Sequence, residues 1–358
     1  MMPGGIAVVT SGFPRRSETF LLNELLALDA RGTLAAVFAT KAGDGGPLHP
    51  GCARLLGRVE LLPAGSASTQ AARLAERLRG REVTGIHGYF AHRPAAVAAH
   101  AARRLGVPYG FSVHARDARK VTPAALAARA RRAACVIACN RDIAAELARA
   151  GAPSRVLPHG VDTHRFRPRP EPRGVPLCLL AVGRLVEKKG FETLIEAVAR
   201  LTIPFRLRIV GEGPRQARLA RAVAAARLGE RVTLAGPGTH ADLPAEYARA
   251  HVVVLPSVAD RNGDRDGLPN VVLEALASAR AVVASDVGAV ATAVLPGRTG
   301  VLVPPGDAEA LARALELLAR RPDWRKRLGR EGRAYIERRF ELGRCTERLG
   351  RVLERAYG

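Results

Sequence analysis

The chain has 358 residues, of which 47% are hydrophobic and 25% are charged, and its formal net charge is +23. This length and this mixture exclude general disorder and fit two globular domains. No uncharged apolar run approaches the roughly 20 residues that span a bilayer, and no signal-peptide pattern precedes the apolar stretch Ile6–Val9. We expect a soluble, cytoplasmic protein, with peripheral association at the inner face of the membrane as an extension of that placement.

The positive charge comes from arginine, since only five of the 56 basic residues are Lys. Most Arg residues stand singly on Ala-rich helical patterns such as Ala71–Leu78, which is typical of a solvated helix face. Three explanations stay open: an Arg-rich solvated surface, attraction to anionic lipids or an acidic substrate, and nucleic-acid binding. Because aromatic residues are only 4% and stacking platforms are therefore scarce, we predict no nucleic-acid partner.

The five cysteines show no pattern of a metal site. Cys135 and Cys139 lie four residues apart, but no second Cys/His pair follows at zinc spacing. We expect buried free thiols and no metal, with a metal site as the alternative.

Short β-branched runs alternate with helical Ala/Leu/Arg patterns along the chain. This alternation predicts an α/β fold with parallel sheets covered by helices on both faces. Predicted helices, with capping residues before and Gly after, are Ser17–Ala30, Thr69–Arg79 and Asn140–Ala150. The predicted strands of the first series are Ile6–Val9, Leu34–Phe38, Val83–His87, Tyr109–Val113 and Cys135–Ala138, and those of the second are Leu177–Val182, Arg206–Val210, Arg231–Leu234, Val252–Leu255, Ala281–Ala284 and Gly300–Val303.

A Pro-rich stretch separates the two series and predicts an extended linker, because proline disfavours helix and sheet interior. We divide the chain into a Rossmann-like domain over 1–166, a linker over 167–176, a second Rossmann-like domain over 177–321 and C-terminal helices over 322–358. Two doubly wound domains facing a central cleft would bind a ligand there, and the C-terminal helices could cross back to the first domain.

The strongest local signal is Val182–Phe191, which follows the first strand of the second series. Gly183 would let the backbone approach a ligand, while Arg184 and Lys189 can reach one diphosphate at a helix start. An ordinary basic loop is the alternative. Gly211 also follows a strand, but its surroundings lack the third glycine of a dinucleotide fingerprint, so a nicotinamide enzyme is disfavoured.

The second signal is an acidic loop that enters a helix. Asp266 and the amides of Gly267 and Leu268 can hold sugar hydroxyls, and Glu274 can accept two bonds from a ribose diol. The alternative makes Asp266 a helix cap and Glu274 the partner of a nearby Arg.

These two segments, together with three others, resemble the retaining glycosyltransferases of family 4, which have the two-domain GT-B fold, and in particular those of bacterial exopolysaccharide and colanic-acid synthesis. The similarity runs over nearly the whole chain. The three further matching segments are Gly12–Phe13–Pro14 with Ser17–Phe20, Phe111–Asp117 and Pro158–Phe166.

The resemblance implies roles for the residues that match. Four would be catalytic: His114 at the reacting face of the sugar, Asp266, and Arg184 and Lys189 at the diphosphate. For His114, which has Asp117 behind it, the alternative is a buried structural histidine. The implied donor site comprises Gly12, Gly183, Arg184, Lys189, Gly211, Asp266, Gly267, Leu268 and Glu274.

The remaining implied positions are less specific. Gly12 would supply a tight turn beneath the donor phosphates or the acceptor, or only a plain strand-to-helix turn. His87 and Tyr89 would contact the acceptor, with core packing as the alternative. Ser17 would do the same, with a helix cap as the alternative.

Two positions depart from the family pattern. Asp266 stands where the family usually has Glu, and no carboxylate follows Gly288, where the family commonly has Gly-x-Pro-Glu. These departures bear on substrate specificity more than on the reaction class.

The resemblance implies transfer of a hexosyl unit from a UDP- or GDP-linked sugar to a hydroxyl of a glycan, a lipid-linked sugar or a small natural product, with retention and without cofactor or metal. A nucleotide-sugar epimerase or hydrolase of the same fold is the nearest alternative. A basic nucleic-acid-binding protein is the alternative from another class.

Overall fold

A computed structural model describes residues 4–15, 18–45 and 49–358 and divides into two units. The first comprises the described residues up to Gly160 together with Leu342–Gly358, and the second comprises Val161–Glu341. The elements before Gly160 are β1 (Gly5–Phe13), α1 (Thr19–Ala30), β2 (Leu34–Ala42), α2 (Ala53–Leu56), β3 (Val59–Leu61), α3 (Ala67–Leu78), β4 (Val83–Tyr89), α4 (Arg93–Leu105), β5 (Tyr109–Val113), α5 (Pro123–Ala130), β6 (Cys135–Ala138), α6 (Arg141–Arg149) and β7 (Arg155–Val156).

The second unit continues the same alternation of strands and helices. Its elements are β8 (Leu177–Val182), α7 (Phe191–Ala199), β9 (Phe205–Val210), α8 (Gln216–Ala225), β10 (Val232–Leu234), α9 (Leu243–Ala248), β11 (Val252–Leu255), α10 (Asn270–Ala277), β12 (Ala281–Ser285), β13 (Val301–Val303), α11 (Ala308–Arg320) and α12 (Pro322–Arg339). The last helix, α13 (Leu342–Tyr357), belongs to the first unit.

Each unit contains one sheet of parallel strands. The order is β3-β2-β1-β4-β5-β6-β7 in the first unit and β10-β9-β8-β11-β12-β13 in the second. Residues alternate between the two faces of each strand, so Ala7 and Val9 of β1 pack in one core while Ile6 and Val8 pack in another. Both faces of each sheet are therefore buried, which confirms the predicted doubly wound α/β architecture.

The strand predictions miss two edge strands and shorten β1. β3 and β7 have three and two residues, and both residues of β7 are exposed, so neither leaves an apolar run to detect. β1 extends beyond Val9 because Thr10 and Gly12 continue the pairing with β2 despite lacking apolar side chains.

Polar side chains cap the starts of α3 and α6, whereas Glu18 at the start of α1 makes no side-chain cap. The Ser66 hydroxyl accepts from the amide of Thr69 at 3.0 Å before α3, and Asn140 Oδ1 accepts from Ile143 N at 2.9 Å before α6. Each cap satisfies one of the amides that a helix start leaves without a partner.

The Pro-rich segment is packed against the second unit. The guanidinium of Arg280, which is 1% exposed, donates to the carbonyls of Arg169 and Pro170 at 2.8 and 3.2 Å. Glu171 forms an ion pair with Arg325 at 2.9 Å. The division between the units therefore lies before Val161, six residues earlier than the predicted 166/167 boundary, because Phe166 is also buried in the core of the second unit.

The C-terminal helices divide between the two units. Leu328 and Ile336 of α12 are buried in the second unit, whereas Leu349, Leu353 and Tyr357 of α13 are buried beside α1 in the first. Tyr357 lies against the sheet where β4 and β5 carry glycines, and a Cβ at Gly85 would come within 2.5 Å of its ring. Small residues in the strands thus make room for α13.

Candidate functional site

In the second unit, two glycines allow β8 and β9 to end side by side. Gly183 has φ +156° and Gly211 has φ +153°, and a Cβ on Gly211 would lie 1.9 Å from the carbonyl oxygen of Gly183. The aliphatic stem of Lys189 crosses above Gly183, with its Cε 3.3 Å from where a Cβ would be. A side chain at Gly211 would displace the backbone of Gly183, so close backbone approach explains Gly211, whereas a side chain at Gly183 would press on the side chain of Lys189.

Two lysines and two aspartates form a cluster after β8 and β11. Lys189 Nζ lies 2.6 Å from Asp266 Oδ2, and Lys188 Nζ lies 3.2 Å from Asp264 Oδ2 and 3.5 Å from Asp266 Oδ1. The Ser257 hydroxyl donates to Asp266 Oδ2 at 3.0 Å. We call Lys188, Lys189, Asp264 and Asp266 the lysine–aspartate cluster.

Asp266 is held ionised in spite of its burial. Burial acts to raise its pKa, but the charges of Lys189 and Lys188 and the bond from Ser257 outweigh this and lower the pKa. The structure thus gives Asp266 ion-pair partners, whereas the alternative from the sequence had made it a helix cap. Pro269 is the N-cap residue of α10, and it makes no side-chain cap.

The loop after Asp266 presents backbone amides. Among the residues that the structure describes, the N–H groups of Gly267 and Leu268 donate no hydrogen bond within the protein. The backbone of Gly288 packs directly against this loop. Its φ is +60°, and a Cβ there would lie 2.1 Å from the Asp266 carbonyl oxygen. The amides, the charged Asp266 and the start of α10 together form a polar surface that suits a hydroxylated, anionic ligand.

Glu274 of α10 is buried and bonded to Tyr247, and no Arg of the described residues pairs with it. The Tyr247 hydroxyl donates to Glu274 Oε2 at 2.7 Å, and His240 Nε2 lies 3.7 Å from Oε1. The alternative from the sequence, in which Glu274 pairs with an Arg, therefore finds no support among the described residues. A carboxylate fixed by one hydroxyl retains further lone pairs for a ligand diol.

Arg184 differs from the lysines because its side chain is exposed. It forms no ion pair or side-chain hydrogen bond with any residue in the described ranges. Its guanidinium therefore keeps all five N–H groups for a ligand.

In the first unit, His114 follows β5 and begins a chain of hydrogen bonds. Its Nδ1 lies 3.0 Å from His159 Nε2, and His159 Nδ1 lies 2.8 Å from Glu24 Oε1. The Tyr89 hydroxyl donates to Glu24 Oε2 at 2.8 Å, and Phe20 stacks on His159 with ring centroids 4.2 Å apart. We call Glu24, His159 and His114 the histidine relay.

The protonation of His159 fixes the tautomer of His114. Burial acts to lower the pKa of His159, but the Glu24 carboxylate and the bond with Cys139 raise it to about 10. Burial and the positive charge of His159 lower the pKa of His114 well below its ordinary value. His159 therefore donates from Nε2 to Nδ1 of a neutral His114, whose proton must lie on Nε2. That atom is buried and has no partner among the described residues.

Asp117 holds the backbone around His114. Its Oδ1 accepts from the His114 amide at 2.8 Å and its Oδ2 from the Ala91 amide at 2.6 Å. Burial raises the pKa of Asp117 to about 7, although these amide bonds act to lower it. The residue is thus a backbone support behind His114, where the sequence placed it.

Three ligand-type side chains also meet at this point. The ligand atoms of His114, Cys139 and His159 lie within 4.8 Å of one another. Zinc accepts such atoms only when they are deprotonated. A metal at this point would therefore have to displace the proton that His159 shares with Glu24.

Two of the predicted acceptor contacts are buried and already bonded. His87 is 0% exposed, with Nδ1 2.8 Å from the Tyr357 hydroxyl and Nε2 2.7 Å from the Ser112 hydroxyl. Burial lowers its pKa to about 3. Tyr89 is also 0% exposed and bonded to Glu24. The structure therefore corrects both assignments in favour of core packing, and Ser17 lies outside the described residues.

Gly12 does not form the predicted turn. It lies within β1 opposite Lys41 of β2, and a Cβ there would be 2.8 Å from the Ala42 carbonyl oxygen. Close approach of two strands explains this glycine.

Sequence reasoning assigned neither Lys188 nor Glu24 to a site, and it gave His159, within the matching segment Pro158–Phe166, only a role in shaping the domain junction. For Lys188 a signal existed, since it is adjacent to Lys189 and both precede a helix. For Glu24 the sequence contains no such signal, because its partner His159 lies 135 residues away and Glu24 resembles any other polar residue of α1.

Two family models match the chain. Residues 17–165 match "Glycosyltransferase Family 4", and residues 176–321 match "Glycosyl transferases group 1". Together they cover both units except for residues 1–16 (which include β1), the Pro-rich segment and the C-terminal helices.

Curated relatives and solved structures agree with these models. WcaL of Escherichia coli (strain K12), described as a colanic acid biosynthesis glycosyltransferase, is 29% identical over 85% of this chain and 87% of its own. A mannosyltransferase of Mycolicibacterium smegmatis, described as GDP-mannose-dependent and acting on phosphatidylinositol monomannoside, is 33% identical over 55% of each chain. The Anabaena protein Alr3699/HepE, solved in complex with UDP, is 19% identical with a TM-score of 0.82, and the match covers 98% of this chain and 99% of that one.

That structural likeness shows the fold, which is GT-B, and the sequence matches show the family. The chain belongs to the family 4 glycosyltransferases.

Proposed function

We propose that the protein is a retaining, metal-independent hexosyltransferase. It moves a hexosyl unit from a UDP- or GDP-linked sugar to a hydroxyl of a glycan, a lipid-linked sugar or a small natural product. The observation that carries this proposal is the lysine–aspartate cluster beside the unbonded amides of Gly267 and Leu268, because it supplies cations for a diphosphate and acceptors and donors for a sugar.

The names of the relatives support this type of donor. One relative is described as GDP-mannose-dependent, and a structural neighbour was solved with UDP-glucose. The two names include both bases, so both stay within the proposal.

In the proposed reaction, the bond between the sugar's anomeric carbon and the diphosphate breaks while a bond to the acceptor oxygen forms on the same face. The acceptor proton passes to the departing diphosphate. Negative charge therefore grows on the diphosphate, and Arg184, Lys188 and Lys189 would meet it with charges already in place. Asp266 and the two amides would hold the sugar, and Glu274 would hold the ribose.

His114 would act as a hydrogen-bond donor to the sugar through Nε2–H. Its neutral form and fixed tautomer suit this role, since an ionised histidine would repel the positive charge that develops on the sugar. The histidine relay keeps that proton on Nε2. Arg184, Lys189, Asp266 and His114 are the catalytic residues of the proposal.

A nucleotide panel followed by product analysis tests the proposal. UDP, GDP, UDP-glucose and GDP-mannose are screened by thermal shift, because selective binding to the folded state raises Tm. The selected sugar donor is then incubated with candidate acceptors, with and without EDTA, and the anomeric configuration of the product is read by NMR. We expect a glycoside that retains the donor's configuration and is formed at the same rate in EDTA.

Three outcomes would contradict the proposal in separate parts. An inverted product would overturn retention, and loss of turnover in EDTA that Mg²⁺ restores would overturn metal independence. A free sugar or an epimer as the main product at saturating acceptor would favour the hydrolase or epimerase alternative.

A further inference from the structure

The first unit contains a pocket of about 300 Å³ that none of the roles above uses. It lies where β1 and β2 end and α4 begins, at the carboxyl edge of the sheet. Its polar lining comprises Ser11, Thr40, Lys41, Gln70, His92 and Arg93.

The pocket is positively charged and has no acidic lining residue. Lys41 is exposed and pairs with no carboxylate among the described residues. Arg93 donates from Nη1 to the Gly65 carbonyl at 2.7 Å, and within the described ranges no carboxylate contacts its guanidinium. The start of α4 adds partial positive charge at the same place. An anion in this pocket would therefore meet two cations and a helix start.

A buried acceptor also lacks a partner in this pocket. Gln70 is 2% exposed, and its Nε2 donates to the carbonyls of Thr40 and Pro63 at 2.8 and 3.0 Å. These two bonds fix the amide, so Oε1 is the acceptor, and it has no hydrogen-bond partner among the described residues. Buried acceptors are nearly always bonded, so this atom indicates a donor such as a ligand hydroxyl.

His92 connects the pocket with the histidine relay. Its ring stacks on Phe90 with centroids 5.8 Å apart, and Phe90 lies 5.4 Å from His114 in an edge-on contact. Burial lowers the pKa of His92 to about 4, and the charges of Lys120, Lys41 and Arg129 act in the same direction. The ring of Phe90 thus lies between His92, which lines the pocket, and His114, which we assign to the sugar.

We propose that this pocket binds a phosphate group carried by the acceptor, with Lys41 and Arg93 as its cations and Gln70 Oε1 as the acceptor for a neighbouring hydroxyl. The inference rests on the proposed function and adds the chemical class of the acceptor. The phosphate could stand on a sugar or on a lipid carrier, and the experiment separates the two.

Isothermal titration of the full chain tests this site. The donor site is first saturated with the nucleotide that the thermal-shift panel selects, and ionic strength is kept constant. Glucose 6-phosphate, geranyl diphosphate and glucose are then titrated. We expect at least one phosphate-bearing probe to bind, and glucose to bind at least about 10-fold more weakly than that probe. Binding of glucose 6-phosphate assigns the phosphate to a sugar, and binding of geranyl diphosphate assigns it to a lipid carrier.

The double variant Lys41→Gln/Arg93→Gln should bind the phosphate-bearing probe at least about 10-fold more weakly than the wild type does. Arg103→Gln is the matched control, because Arg103 is exposed at the other end of α4, and it should leave binding unchanged. Absence of binding by both phosphate probes would overturn the inference, as would equal binding by the double variant and the wild type.

This outcome is separable from that of the proposed function. The double variant should bind the nucleotide as the wild type does, so loss of probe binding with intact nucleotide binding concerns the pocket alone. If no nucleotide bound to the wild type, the proposed function would fail before the pocket was tested.

Discussion

The two units gather different kinds of polar group at the carboxyl edges of their sheets. The second unit brings together opposite charges, two lysines and two aspartates within 3.5 Å. The first brings together rings around one carboxylate, with a single charge pair between His159 and Glu24. Charges fixed in advance suit a diphosphate leaving group, whereas a buried relay suits the placement of one proton. Near neutrality both arrangements should keep their protonation states, and the histidine relay should change only at higher pH, towards the pKa of His159 of about 10.

The largest expected effect concerns the fixed charges of the second unit. Arg184→Ala should lower turnover by roughly 10²–10³-fold, because it removes one fixed donor aimed at developing charge. Steady-state kinetics with the true donor measures this. Arg206→Ala is the control, since Arg206 is exposed at the opposite end of β9, and similar losses in both variants would mean that the effect is one of general charge.

Glu274→Ala should weaken transition-state stabilisation by about 1.5–3 kcal/mol, the range for hydrogen bonds to a charged group. Tyr247→Phe removes only the hydroxyl that holds this carboxylate and should cost less. Comparison of kcat/KM for the two variants checks the order. Unchanged kcat/KM in Glu274→Ala would remove the residue from the donor site.

Glu24→Gln tests the relay through its pH dependence. Without the carboxylate, the pKa of His159 should fall from about 10, so the alkaline limb of the pH–rate profile should move to lower pH. We expect turnover at pH 9 to fall by about 10-fold or more, at the low end of proton-transfer effects. A profile that is only scaled down, with the same alkaline limb, would indicate a purely structural role for Glu24.

The smallest expected effect is on stability. The folded pKa of His159 is raised, so its contribution is complete below the ordinary histidine pKa of about 6.5 and is lost as pH rises towards about 10. The folded pKa of His87 is lowered, so its contribution is lost as pH falls from about 6.5 towards 3. Denaturant unfolding across this range should show stability declining on both sides. In Glu24→Gln the alkaline decline should be smaller and should end at a lower pH, because the folded pKa of His159 falls while its unfolded pKa stays the same, and the acid decline should be unchanged.

The sequence was informative where function is local in the chain. Gly183, Arg184 and Lys189 lie within one loop, and Asp266, Gly267 and Leu268 lie within another, so turn and charge signals are adjacent. The structure joins the two loops through one contact, since Lys189 Nζ lies 2.6 Å from Asp266 Oδ2. The fold class was accessible for the same reason, because each strand and helix carries its own apolar pattern.

The pairing of His114 with His159 and Glu24 in the histidine relay was not accessible in this way. His159 meets Glu24 across 135 residues, and His87 meets Tyr357 across 270. In the sequence, neither Glu24 on an apolar helix nor His87 within a strand indicates which distant residue will be its partner. Likewise, the sequence gives Gly12 as a turn residue, while only the pairing with β2 shows why the strand continues through it.

The position of α13 has a consequence for synthesis. This helix covers α1 and fills the space above Gly85 and Gly110, yet the ribosome makes it after the entire second unit. Part of the apolar surface of the first unit therefore stays exposed to solvent until residues 342–357 have left the ribosome. Domains usually fold from the N-terminus during translation, but here the second unit can finish before the first.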